Sequence, residues 1–137
     1  GRLHLPSRVL SYAAAGHSGA FVHSTNRASQ WLSSASLPLG FDNDTIYETA
    51  GTQLYLHDRL FLLSDGIYEV PSPAGDLWGR TRLQDTLEAT RGHSLEQSIS
   101  ETMSTARQWL GGNIFPDDVA LVGLEVLKGS VQTGSRA

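Results

Sequence analysis

A chain of 137 residues is long enough for one domain with a sizeable core and too short for two. Its 39% apolar and 18% charged content is that of an ordinary soluble globular protein, and a net charge of −4 argues against non-specific nucleic-acid binding. Cysteine is absent, which excludes disulfides, thiolate catalysis and zinc–thiolate sites. No apolar run approaches the roughly 20 residues of a membrane span and no signal-peptide pattern opens the chain, so no membrane contact and a cytoplasmic location are expected.

In chain order, residues 9–15 and 20–23 read as strands, and Gly16-His17-Ser18-Gly19 between them suggests a hairpin loop. A turn over 25–29 precedes a short pairing segment, 30–32. Residues 33–36 begin a small polar loop that runs on to Leu37-Pro38-Leu39-Gly40. Residues 46–50 alternate weakly, 54–56 form a short apolar run, and 59–64 are a strong buried-strand candidate. Pro71-Ser72-Pro73-Ala74-Gly75-Asp76 must be a loop.

The character then changes. Leu83 and Leu87 stand four apart in a short helix predicted over 81–91 and ended near Gly92. Ser94 and Gln97 have the spacing of a capping box. The helix behind them lines up Leu95, Ile99, Met103, Ala106 and Leu110, with Trp109 beside them, and Gly111-Gly112 stops it. A last strand is predicted over 119–127, and 129–137 as a disordered tail. Strands, then two helices, then a returning strand make an α+β layout with helices packed on an antiparallel sheet. Nothing at the start of the chain offers to cover the sheet's other face.

Two acids stand out. Asp65 follows the apolar run 60–63, and Asp117 opens Asp117-Asp118-Val119-Ala120-Leu121. A carboxylate at a strand end can project into a cleft while staying rigidly held, which suits a hard, oxygen-seeking cation. The alternative for Asp65-Gly66 is a plain turn, and for Asp117 a turn after Pro116. Asp118 either assists such a site or caps its loop. His4, His23, His57 and His93 show no ligand-like spacing, and no Gly-x-Ser-x-Gly elbow is present.

Five segments, in order, resemble the C-terminal half of a metal-dependent serine/threonine phosphatase of the SpoIIE/RsbU-like branch of the PPM (type 2C) superfamily. They are Tyr12-Ala13-Ala14-Ala15-Gly16-His17; Leu37-Pro38-Leu39-Gly40; Leu62-Leu63-Ser64-Asp65-Gly66-Ile67-Tyr68-Glu69; Gly75-Asp76-Leu77-Trp78-Gly79 with Leu83; and Asp117-Asp118-Val119-Ala120-Leu121. The resemblance runs from about residue 9 to 127. It implies a β-sandwich flanked by helices and two Mn²⁺ or Mg²⁺ ions, with Asp65 and Asp117 as metal ligands. Asp118, Gly66 and His17 become candidates for the surroundings of the metals, although His17 could equally stabilise its loop. Glu69 belongs to the same motif and reads more simply as a surface residue.

The implied reaction is hydrolysis of phosphoserine or phosphothreonine by a metal-activated water. The implied partner is a phosphoprotein such as an anti-sigma-factor antagonist in a bacterial signalling pathway. One feature departs from the family pattern. Its metal-bridging aspartate lies in a Gly-Asp segment well upstream of the Ala-Gly-His turn, and residues 1–14 contain no acid. The expectation is therefore a partial phosphatase domain over 1–128, truncated at its N-terminus and inactive alone. A non-catalytic pseudophosphatase or interaction module is the alternative. A sheet left incomplete would also expose an edge through which a homodimer could form.

Overall fold

The computed structural model describes residues 1–33 and 36–128. Phe21, Phe61 and Gly123 fall in one register row across three antiparallel strands, and the two rings are wholly buried. That row belongs to a four-stranded sheet ordered β4-β3-β6-β7, built from β3 (Ala20–His23), β4 (Gln30–Leu32), β6 (Arg59–Leu63) and β7 (Leu121–Glu125). A second sheet, ordered β1-β2-β5, contains β1 (Arg2–His4), β2 (Val9–Tyr12) and β5 (Ala50–Gln53).

Side-chain alternation assigns the two faces of the larger sheet. Phe21, Phe61 and Leu63 pack with Leu83 and Leu87 of α1 (Gly79–Ala89) and Ala106 of α2 (Leu95–Leu110). Each buried Phe or Leu in this layer contributes about 1.5–3 kcal/mol. At Gly123 a Cβ would come within 2.8 Å of Leu95 Cδ1 and 3.1 Å of Ile99 Cδ1, so the bare glycine leaves room for the α2 side chains packed on β7. On the opposite face, Ala20, Val22 and Leu60 meet Leu10 of the smaller sheet and Leu54 just after β5. The result is three layers, with two helices on one face of a two-sheet sandwich, as the α+β expectation requires.

The smaller sheet does not cover the whole inner face. Leu62, Val122 and Leu124 stay 40–52% exposed, beside an apolar cleft of about 350 Å³ lined by Leu10, Tyr12, Ala20, Leu60, Leu62 and Leu124.

Several sequence expectations need correction. The 9–15 and 20–23 segments form no hairpin: β2 pairs with β1 and β5, and β3 pairs with β4 and β6, so the chain crosses between sheets at 13–19. The positive-φ residues Gly16 and Gly19 make that crossing. A Cβ at Gly16 would overlap Pro38, and one at Gly19 would lie 2.7 Å from the Leu32 carbonyl oxygen. β1 was not anticipated. The alternation at 46–50 yields to a strand starting at Ala50, and Leu54, just after β5, is a buried core residue before the turn at Tyr55–Asp58. β7 is shorter than predicted.

The pairing of 30–32, the 71–76 loop and both helices agree with expectation, α1 beginning and ending two residues earlier than predicted. Trp78 is buried against Leu83 as the plug of the loop. The Ser94/Gln97 capping box is fully formed, and Gly111 closes α2 in the left-handed conformation. The tail predicted over 129–137 lies outside the described residues.

Candidate functional site

β6 and β7 run antiparallel, so the end of one meets the start of the other. Ser64 fastens that junction. Its N–H donates to the Ala120 carbonyl (3.0 Å), and its Oγ donates to the Asp118 carbonyl (3.1 Å) while accepting from the Ala120 N–H (2.9 Å). The chain then turns through a 3₁₀ segment, Asp65–Ile67, whose first carbonyl accepts from the N–H groups of Tyr68 (3.0 Å) and Glu69 (2.9 Å). Ile67 and Tyr68 are buried, which anchors the turn in the core below.

Gly66 makes the closest approach. A Cβ there would overlap the carbonyl oxygen of Asp118 and come 3.6 Å from the Asp117 Cβ. The Asp65-Gly66 turn and the Asp117-Asp118 turn are therefore pressed together, and all four residues lie at one end of the sandwich. Asp65, Asp117 and Asp118 are solvent-exposed there and Gly66 is buried. The Asp117 carboxylate also accepts from the Asp118 N–H at 2.7 Å, which fixes one of its oxygens locally.

His17 sits in the crossing loop and has a local role. Its Nδ1 accepts from the Gly19 N–H at 3.0 Å, and its ring borders the apolar cleft. Glu69 is exposed. Ser64 is the residue that sequence reasoning passed over. Its position inside Ser-Asp-Gly was visible, but its three bonds reach residues 118 and 120, which no local pattern reports.

At the opposite end of β3 and β6 lies a second polar assembly. Asp58 is fully buried and accepts from Ser24 Oγ (2.7 Å), the Tyr55 N–H (2.9 Å) and Arg27 (3.3 Å). His23 is buried beside it. Burial first, then the Arg91 and Arg59 guanidiniums, holds its imidazole below the usual histidine range. This cluster joins the layers, far from the acid pair along the strands.

The donors gathered around residues 65 and 117 are all oxygens, which suits Mg²⁺ or Mn²⁺ in kind. In number they fall short: among the described residues no group of three or more His, Asp or Glu is arranged to hold a metal. Asp65 and Asp117 thus fit as a partial ligand set.

The family model for Stage II sporulation protein E (SpoIIE) matches residues 1–127. No curated protein matches. Among solved structures, the chain superposes on the SiaA-PP2C domain of Pseudomonas aeruginosa with a TM-score of 0.74 at 20% identity, over 86% of this chain and 46% of that one. The phosphatase domain of the cell fate determinant SpoIIE from Bacillus subtilis gives 0.67 at 15%, over 94% and 56%. The RsbU and RsbW domains of Rv1364c from Mycobacterium tuberculosis give 0.70 at 20%, over 91% and 34%. These likenesses show a shared fold, and the chain spans about half the length, or less, of the structures it matches. With a family match along nearly its whole length and the corresponding two-sheet fold, the chain belongs to the SpoIIE family of PP2C-type phosphatase domains.

Proposed function

We propose that this chain carries part of the active site of a protein serine/threonine phosphatase, with Asp65 and Asp117 as ligands to Mn²⁺ or Mg²⁺. The observation that carries the reading is the close packing of the Asp65-Gly66 and Asp117-Asp118 turns in a chain of the SpoIIE family. When bound, a pair of such ions supplies an activated water and stabilises charge on the phosphoryl group. The chain's own residues set the frame. Ser64 locks the junction of the two turns, the buried Ile67 and Tyr68 hold the Asp65 turn from below, and Gly66 admits the Asp118 carbonyl. Asp118 shapes its turn through its backbone, and His17 orders the neighbouring loop.

The substrate class is a phosphoserine or phosphothreonine protein, such as an anti-sigma-factor antagonist. The RsbU and RsbW domains joined in one matched structure support a partner-switching setting. No helix among the described residues is long and apolar enough to cross a membrane, and we place the domain in the cytoplasm. With two carboxylates in place, the 137-residue chain by itself turns over little substrate. A non-catalytic role in the same pathway is the second reading, favoured by that incomplete ligand set.

The test is manganese-dependent hydrolysis of a phosphoserine peptide, measured for this chain and for a polypeptide extended upstream, with Asp65→Asn as control. Activity in the extended form that Asp65→Asn abolishes supports the enzyme; an inert, folded extended form supports the second reading. Robust turnover by the 137-residue chain would overturn the incomplete site.

A further inference from the structure

We infer that Arg80 is a positioning residue: it ties the Asp65 turn to the loop carrying His17. Arg80 is the second residue of α1, and its Nη2 donates to the Ser18 carbonyl at 2.6 Å and to the Tyr68 hydroxyl at 3.1 Å. Its guanidinium carbon stands 5.1 Å from the Trp31 ring centroid and 4.9 Å from that of Tyr68, so the cation rests against two aromatic rings at once. Each of these partners leads to the site. Tyr68 donates its N–H to the Asp65 carbonyl, and its own carbonyl accepts from the Gly79 N–H at 2.7 Å, next to Arg80. Ser18 lies between His17 and Gly19, whose hydrogen bond closes the crossing loop. Trp31 is fixed in turn by Phe21, at 5.2 Å between centroids, and by its Nε1–H bond to Gln84 Oε1 at 3.1 Å.

One side chain thus links α1, β4, the Asp65 turn and the 16–19 loop. The fixed fork of a guanidinium, with its planar face free to stack, suits this task better than the point charge of lysine. The role matters for metal binding because it rests on Asp65 being a ligand. A carboxylate on a loosened turn must be ordered by the cation itself, which weakens affinity.

Amide hydrogen exchange on the 137-residue chain and its Arg80→Met variant tests this, with Mn²⁺ titration as a second readout. The Tyr68, Glu69 and Gly19 amides are expected to exchange faster together, by about tenfold, as local opening does, while Thr102 in α2 keeps its protection. Where the parent binds Mn²⁺, the variant binds it more weakly. Unchanged exchange at those three amides, or a rise matched at Thr102, overturns the inference, since the latter marks Arg80 as merely stabilising the fold. A parent that binds no Mn²⁺ agrees with the partial ligand set, and the exchange result alone then decides the role of Arg80.

Discussion

The carbonyl oxygen of Asp118 occupies the space that a Cβ on residue 66 would need. Gly66 is therefore required by close approach of two backbones, with no help from an unusual φ. Gly66→Ala must push the Asp117-Asp118 turn outward, and forcing an extra carbon into a packed contact costs about 1–3 kcal/mol. Thermal unfolding should show that loss. Mn²⁺ affinity should fall beyond what reduced stability accounts for, because the displaced segment carries a proposed ligand.

Ser64→Ala tests the same junction from the other strand. The substitution keeps the backbone bond to Ala120 but removes the hydroxyl that serves Asp118 and Ala120. Each lost hydrogen bond is worth about 0.5–1.5 kcal/mol. Chemical denaturation should place the variant within that range for one or two bonds. A variant as stable as the parent would show that solvent replaces the hydroxyl at this exposed end.

Asp65→Asn and Asp117→Asn separate ligation from folding. Both carboxylates are exposed, and surface changes of this kind usually stay within about 0.5 kcal/mol. Melting temperature without metal should barely move. Mn²⁺ affinity, measured by calorimetry, should drop roughly tenfold or more, the scale on which even supporting groups of metal sites act. Equal metal binding by parent and both variants would remove these residues from the site.

Local chemistry made much of this molecule readable. Ser94 and Gln97 state a helix start within four residues, and the structure forms that box as written. The unbroken apolar run 60–63 likewise announces a strand, which forms as β6. The sheet assignment of β2 and β3 was not readable, because Gly16 and Gly19 would serve a hairpin as well as a crossing. What decides between them is distant: Pro38 packs on Gly16, and the Leu32 carbonyl abuts Gly19. In α2 the apolar stripe was correct yet incomplete, since Ser98 and Thr102 are as deeply buried as Ala106, while Leu95, Ile99, Met103 and Leu110 are only half-buried. Their hydroxyls bond the carbonyls of Thr90 and Ser98, and Arg59 donates to Ser98 Oγ, so two polar residues serve as core. The acid pair was visible as motifs, whereas the Ser64 and Arg80 contacts that hold it join segments dozens of residues apart.

His23 gives the fold a pH dependence of definite sign. Arg91 Nε–H donates to His23 Nε2 at 3.1 Å, so that nitrogen must be unprotonated and the neutral ring carries its proton on Nδ1. Burial first, then Arg91 and Arg59, disfavours a second proton, while Glu88 and Asp58 favour one less strongly. The folded state therefore titrates below 6.5, the ordinary value of a free histidine. Once the pH drops under that value, the unfolded chain binds a proton that the folded chain refuses, and stability declines until the folded pKa is reached. Above it, the contribution of the neutral ring is fully present. Denaturation of the parent and of His23→Gln between pH 7.5 and about 5 should expose this, as carboxylate effects common to both cancel in the difference. The parent is expected to lose more stability on acidification than the variant. Parallel curves would mean that His23 takes up its proton in place, with Arg91 swinging away to admit it.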